Sequence, residues 1–420
     1  MNKEQLLQDA ARLAPELIRH RRFLHSHAEV GFDLENTLAY VAGALKDMGY
    51  APVKYGKAGL AVTVGNGEGK SFLLRADMDA LPVTEEADVD FACKNGNMHA
   101  CGHDIHTAML LGAAKLLKDR ESELKGTVRL MFQPAEETFE GAADMIGAGV
   151  LEGVEGAMMI HVAAGMPIPA GTVIVSSPGV SAPAADYFTV KVQGKGCHGS
   201  APQNGIDALT AAAHILIGLQ EIQARELAAS QEAVLTVGTF HGGDAANVIA
   251  DTATMSGTIR TYDEETRAYL KTRICDIAKG IATAFRAEAE VSFGTGCPTL
   301  INDKGMSQAV WEAASELLGP NRAFTTAQLN GGQPARGGGS EDFAYVSQQV
   351  PAVMVALAAG EPAKGYPYPQ HHPKVKFDES VLPLGSAFLA WCAMKHFKSF
   401  PGVFGERRLK YGKSNTGDGV

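Results

Sequence analysis

Along the first part of the chain, short unbroken apolar runs alternate with longer stretches where apolar residues recur every three or four positions. GLAVTVGN (59–66), SFLLRAD (71–77), TVRLMFQ (127–133) and GAMMIHV (156–162) have the length and composition of buried strands. HDIHTAMLLGAAKLLKDR (103–120) and GAADMIGAGVL (141–151) carry helical spacing. Strands alternating with helices predict an α/β layer fold around a mostly parallel sheet. The N-terminal MNKEQLLQDAARLAPELIRHRRFLH reads as one amphipathic helix, charged throughout and without an apolar h-region. It is therefore not a signal peptide, and a cytoplasmic protein is expected.

The rhythm changes after Pro183. DYFTVKVQG (186–194) alternates apolar and polar positions, a helix follows from Ile206 to about Arg225, and AVLTVGTFHG (233–242) and TATMSGTIRT (252–261) read as strands. A long amphipathic helix over about 263–287 and EVSFGT (290–295) close a β-α-β-β-α-β series. That order predicts a ferredoxin-like α+β unit, an antiparallel sheet with helices on one face. Residues 183–294 are thus read as a domain inserted into a discontinuous one formed by 1–182 and 295–404. The second half of the latter has a helix (306–318), the strand PAVMVALAAG (351–360) and a final helix over about 380–398. The polar stretch 405–420 is expected to be a flexible tail.

Composition narrows the function. The 420 residues are 45% hydrophobic and 20% charged, with a formal net charge of −10. No basic block is interleaved with aromatics and no run of eighteen apolar residues exists, so neither nucleic acid nor a membrane is an expected partner. The six cysteines (93, 101, 197, 275, 297, 392) lack framework spacing, so in a reducing compartment they are expected as free thiols.

The chemistry is concentrated at the ends of the predicted strands. One ends in Asp77 and Asp79, another in Glu136 and Glu137, a third in His161, and the loop before the 103–120 helix carries His99, Cys101 and His103. The carboxyl ends of strands form the ligand-binding edge of α/β sheets. Each residue alone has an ordinary structural explanation, but a cluster of soft and hard ligands on an apolar scaffold is costly to desolvate unless cations compensate. Two cations ~3.5–4 Å apart would lower the pKa of a shared water and offset the charge of a tetrahedral intermediate. A carboxylate outside the ligand set would take the water's proton and deliver it to the leaving amine. Spacing leaves open which of Glu136 and Glu137 does which. Two other readings stand beside this one: a thiol hydrolase with Cys101 as nucleophile, and a non-catalytic metal-binding or dimerisation module.

RADMDALP (75–82), HACGHDIHTAMLLGAA (99–114), FQPAEE (132–137), GKGCHGSAPQNGIDA (194–208), HGGDAANVIADTATMSGTIRT (241–261), GSEDFA (339–344) and HHPKVKFDE (371–379) occur in order. Together they resemble the aminoacylase-type metallopeptidase family, in its branch of hippurate hydrolases and indole-acetyl-amino-acid hydrolases, over roughly residues 15–395. The resemblance implies a metal-dependent amidohydrolase that splits N-acyl or N-aroyl amino acids, with dipeptidase- or carboxypeptidase-like cleavage as the alternative. It implies two divalent ions, zinc or manganese with cobalt or nickel as further options, held by Cys101, His103, Glu137, His161 and His371. His371 is a better match than His372, because the family ligand lies two residues before a proline. Glu136 matches the general base and Asp79 the carboxylate that orients a ligand. His198 matches a donor to the oxyanion, acting across a dimer interface, although Cys197 replaces the family's glycine beside it. Asn247 and Arg260 match positions that hold the substrate carboxylate. A homodimer formed through the inserted domain, which also acts as a lid, is the implied assembly.

Overall fold

Strands of unbroken apolar sequence lie side by side in one sheet of eight. The order is Val53–Tyr55, Gly59–Gly65, Thr127–Gln133, Ser71–Asp77, Val154–Ala163, Ala352–Ala358, Val173–Val175 and Ala323–Thr325. The four middle strands, from Thr127–Gln133 to Ala352–Ala358, are mutually parallel, while antiparallel pairs lie toward the edges. The computed structural model describes residues 2–66, 71–333 and 335–399, so the tail expected at 405–420 lies outside the described residues.

The lack of alternation in Ser71–Asp77 has a direct cause: the strand is buried at every position. Phe72 and Leu74 enter a large cluster with the helices His103–Lys118 and Leu382–Ser399, while Leu73 enters a smaller cluster on the opposite face with Met131, Ala157 and Met159. A sheet covered on both faces selects apolar residues at consecutive positions.

The second sheet is antiparallel throughout, in the order Ala233–Gly242, Thr252–Thr261, Ala184–Gln193, Glu288–Cys297. Phe188, Val190 and Val192 pack into a separate cluster with the helices Ala208–Glu221 and Glu264–Ala284, while Tyr187 and Lys191 face away from it. This is the ferredoxin-like unit that the period-two pattern predicts, and its last strand runs three residues past 294.

The N-terminal segment departs from the single helix expected of it. It forms two helices, Lys3–Arg12 and Ala14–Ser26, because Pro15 stands in the first turn of the second and has no N–H to continue the first. A helix at Glu35–Asp47, which the apolar pattern did not single out, buries Thr37, Val41 and Leu45. Among the described residues no helix is long and apolar enough to cross a membrane.

Candidate metal centre

The site is built where two parallel strands part. The ladder between Ser71–Asp77 and Val154–Ala163 stops at Arg75↔Met159, so the carboxyl ends of both strands border a crevice. Asp77 closes the first strand, and His161 stands two residues before the end of the second.

Cys101 and His103 enter from the turn that starts His103–Lys118. Gly102 between them has φ +91°, and a Cβ there would lie 2.5 Å from Val162 Cγ2 and 3.1 Å from Phe377 Cζ. Only glycine fits that turn without strain or collision. Glu136 and Glu137 arrive from the loop after Thr127–Gln133, where Ala135 (φ 51°) and Phe139 (φ 59°) adopt left-handed conformations. With those kinks both adjacent glutamates reach His103, and Glu137 approaches His371 as well. Asp79 secures the loop by accepting the backbone N–H of Glu136 (3.0 Å) and of Glu137 (3.1 Å). His371, with φ 65°, is pinned beside the turn by its N–H donating to Ala100 C=O at 2.9 Å. His372 instead stacks on Tyr368 and accepts the Lys374 N–H.

The donors converge on one sulfur. Cys101 Sγ lies 3.4 Å from His161 Nε2 and 3.3 Å from His371 Nε2. His371 Nε2 is 3.6 Å from Glu137 Oε1, and His103 Nε2 is 3.9 Å from both Glu136 Oε2 and Glu137 Oε1. Cys101, His103 and His161 make one compact group, and Cys101, Glu137 and His371 a second that shares the thiol. His103 Nδ1–H donates to Asp79 C=O (2.8 Å) and His161 Nδ1–H to Val162 C=O (2.8 Å). Both tautomers therefore turn an Nε2 lone pair inward, the arrangement expected of metal-binding imidazoles.

Two observations fit a cation pair. His103 Nε2 and Glu137 Oε1 are buried without a hydrogen-bond partner, which is costly for groups of such polarity. In the metal-free chain, moreover, charges at the site are held in unfavourable states. Burial, reinforced by Glu341, Asp342 and Glu137, pushes the Glu136 carboxyl well above the usual range. Burial raises Glu137 against the pull of His103 and His371, and pushes the Cys101 thiol well up. Burial pushes His161 down to about 3, leaving it a neutral donor. Burial opposes charge on His103, but Asp77 and Cys101 together outweigh it and hold its pKa well up. A thiol raised in this way is a poor unaided nucleophile, which disfavours the thiol-hydrolase reading. Thiolate, imidazole and carboxylate together are a ligand set for a borderline divalent ion.

The groups open on a cleft of about 630 Å³, whose walls include Phe139, Ala182, Tyr187, Met354 and Arg336. Not every sequence candidate reaches it. His99 is fully buried against His25, outside the donor groups. His198 and Asn247 are exposed and adjacent to one another, with Gly199 N–H donating to Asn247 C=O. They lie beyond the end of the inserted sheet where Gln193 pairs with Thr252, whereas Arg260 pairs with Ala185 at the opposite end. Eight residues of strand separate those ends by roughly 26 Å at ~3.3 Å per residue. None of the three lines the cleft of its own chain.

Strand-end reasoning missed the buried support beneath the donors: Arg75, Gln133, His106 and Asp342. Its two visible signals are an arginine inside an otherwise apolar strand and a histidine three residues after His103 on the same helical face.

Comparison with known proteins identifies the family. Residues 73–395 match the model of peptidase family M20/M25/M40. The chain is 37% identical over 381 residues to N-acetyl-L-cysteine deacetylase of Bacillus subtilis (strain 168), covering 90% of this chain and 87% of that one. It is 35% identical over 383 residues to IAA-amino acid hydrolase ILR1-like 4 of Arabidopsis thaliana, covering 90% and 84%. The crystal structure of the Bacillus subtilis YXEP protein, described as a dinuclear metal binding peptidase from the M20 family, superposes with a TM-score of 0.76. It is 33% identical, covering 93% of this chain and 100% of that one. The chain belongs to peptidase family M20/M25/M40, in its aminoacylase-type branch, and is a metal-dependent hydrolase acting on amide bonds.

Proposed function

We propose that the enzyme hydrolyses the amide bond of N-acyl or N-aroyl amino acids to a carboxylic acid and a free amino acid. The observation that carries this reading is the convergence of His103, Glu137, His161 and His371 around Cys101 beside a cleft with apolar walls. We assign Cys101, His103, Glu137, His161 and His371 as ligands of two divalent ions, zinc or manganese, with cobalt and nickel compatible. Ions held there would acidify a water and offset the negative charge that develops on the carbonyl oxygen.

The chain's own residues supply the rest. Glu136 Oε1 is turned toward the Asp342 N–H at 3.4 Å, a long contact, while Oε2 faces the donor groups. Oε2 is thus the oxygen suited to accept the water's proton and pass it to the leaving amine nitrogen. Asp79 holds the Glu136–Glu137 backbone, and its carbonyl fixes the His103 tautomer. Phe139, Ala182 and Met354 suit an apolar acyl group. Glu341, on the same wall, already pairs with Arg75 at 3.0 Å, so it does not offer a free carboxylate for a dipeptide's α-amine. This favours acyl amino acids over dipeptides.

His198 as oxyanion donor, with Asn247 and Arg260 as carboxylate holders, requires a second copy of the chain, given their separation along the sheet. We therefore propose a homodimer through the inserted domain, whose edge strand Ala233–Gly242 has no strand on its outer side among the described residues. Six free cysteines suit a reducing compartment, and we place the enzyme in the cytoplasm.

A panel of N-acetyl amino acids, N-benzoyl amino acids and dipeptides, assayed before and after chelation and metal add-back, tests the reaction. Full activity without metal, or a preference for dipeptides, refutes it. Mixing Glu136→Gln with His198→Ala subunits tests the dimer. About a quarter of wild-type activity should return, because half the dimers are mixed and each has one intact site. No recovery after verified subunit exchange removes the shared site.

A further inference from the structure

A buried chain of side chains lies against the donor groups without lining the cleft: Asp77 Oδ2 is 3.7 Å from His103 Nε2, and the His106 ring packs edge-on against His161 with centroids 4.6 Å apart. Where the ladder between the two parting strands ends, the Val162 N–H has no strand partner on that side. It donates instead to His106 Nε2 at 2.8 Å. That bond fixes the tautomer of His106, whose Nδ1–H then donates to Asp77 Oδ1 at 2.6 Å. The other Asp77 oxygen accepts from Arg75 Nη1 at 2.6 Å. Arg75 Nη2 continues to Asp342 Oδ1 at 2.9 Å, and Arg75 Nε to Gln133 Oε1 at 2.8 Å.

Asp342 closes the far end. It accepts from Gln133 Nε2 (2.8 and 2.9 Å) and from the Ala142 N–H (3.0 Å). Gln133 is the last residue of the strand before the Glu136–Glu137 loop, and Ala142 stands in the helix just after it. One carboxylate thus ties entry to exit of a loop that holds two left-handed, non-glycine residues. Such conformations persist only where the surroundings over-determine them. Arg75, Asp77, His106, Gln133 and Asp342 are each no more than 2% exposed, so the bonds act in a medium where they are strong and slow to exchange with water.

We infer that His106–Asp77–Arg75–Asp342 is a cross-brace, with His106 and Arg75 as positioning residues, that sets the strand end bearing His161 at a fixed distance from the loop bearing Glu136 and Glu137. The inference rests on the assignment of those residues made above. Each end of the brace governs a different part of the reaction. The His106 end holds a ligand, and the Asp342 end holds the base. Because the bonds are in series, a break at His106 loosens both.

The test uses the metal-loaded enzyme and two variants. His106→Asn retains a donor toward Asp77 and drops the acceptor for Val162, and His106→Gln does the reverse. Outer-shell partners of metal ligands typically account for ~10–100-fold in affinity or activity. Both variants should therefore bind Mn²⁺, titrated calorimetrically into chelator-treated protein, ~10–100-fold more weakly than wild type. Their kcat should fall by a similar factor with KM changed by less than about threefold, the signature of lost transition-state geometry. A folded variant with wild-type Mn²⁺ affinity and kcat, whatever its melting temperature, makes His106 an ordinary core histidine and overturns the brace. Hydrogen exchange on the unmodified holoenzyme needs no variant: the Val162 amide should be as protected as that of Ile160 in the ladder. Rapid exchange at Val162 overturns the brace equally. Wild-type enzyme that is fully active without metal would instead refute the functional assignment itself, so the two failures are distinguishable.

Discussion

Replacing Glu136 by glutamine separates catalysis from stability, because the same burial serves one and opposes the other. The residue is 5% exposed and shares its surroundings with Glu341, Asp342 and Glu137. The amide has nearly the same shape and can still accept from the Asp342 N–H, but it cannot take a proton. General-base removal typically costs ~10²–10⁴ in rate, equivalent to roughly 3–5 kcal/mol of barrier at ~1.36 kcal/mol per decade. Metal content should not change, since the five proposed donors are intact. Stability should move the other way. Burial raises the folded-state pKa of Glu136 above its unfolded value, so the metal-free native state holds a proton that the unfolded chain releases. Ionisation therefore erodes stability as pH rises from the unfolded carboxylate range toward the raised folded pKa. The glutamine variant escapes that loss. Its urea midpoint in chelator should exceed wild type at pH 7, and the difference should vanish near pH 4. Initial rates on N-acyl amino acids, metal by mass spectrometry and paired urea curves at the two pH values read all three quantities. A variant with more than a tenth of wild-type kcat, or one that has lost metal, would mean that Glu136 and Glu137 exchange roles. A lower urea midpoint at pH 7 would refute the electrostatic argument.

Gly102→Ala should destabilise the protein by about 2–5 kcal/mol, from roughly 1–2 for a left-handed alanine and roughly 1–3 for the overpacking against Val162 and Phe377. Urea denaturation with metal bound measures it, and a change below about 0.5 kcal/mol is the contrary result. Cys101 in the metal-free enzyme should resist iodoacetamide at pH 8 while the partly exposed Cys197 and Cys275 react, as peptide mapping would reveal. Preferential labelling of Cys101 would revive the thiol-nucleophile reading. In the inserted sheet, Asp186 is 2% exposed and receives both Nε and Nη2 of Arg267, at 2.6 and 2.9 Å. Arg267→Met should cost about 3 kcal/mol by leaving a buried carboxylate with Lys271 alone. A circular-dichroism urea curve showing less than about 1 kcal/mol would mean that the lysine suffices.

Much of this arrangement is legible in the sequence. Unbroken apolar runs marked Ser71–Asp77 and Val154–Ala163 as doubly covered strands, and period-two alternation marked Ala184–Gln193 as half-exposed. Chemistry-bearing residues at strand ends could be gathered into one site because parallel topology puts those ends on one edge. The helix break at Leu13 was less visible, since the amphipathic pattern continues through it. Hydrophobic periodicity reports which side of a segment is buried, and says little about whether its axis is continuous.

Residue order and type by themselves determined the two sheet architectures and the donors available. Tertiary structure decided that His371 reaches Cys101 while His372 stacks on Tyr368, that kinks at Ala135 and Phe139 bring both adjacent glutamates to 3.9 Å from His103 Nε2, and that His198 lies far along the sheet from Arg260. It also decided that Arg75 is buried between Asp77 and Asp342, to both of which it donates. The reason is physical. Patterning acts along the chain through burial and backbone propensity, at short range. Direction, distance and hydrogen-bond partner across hundreds of residues exist only after loops close and side chains exclude water from between them.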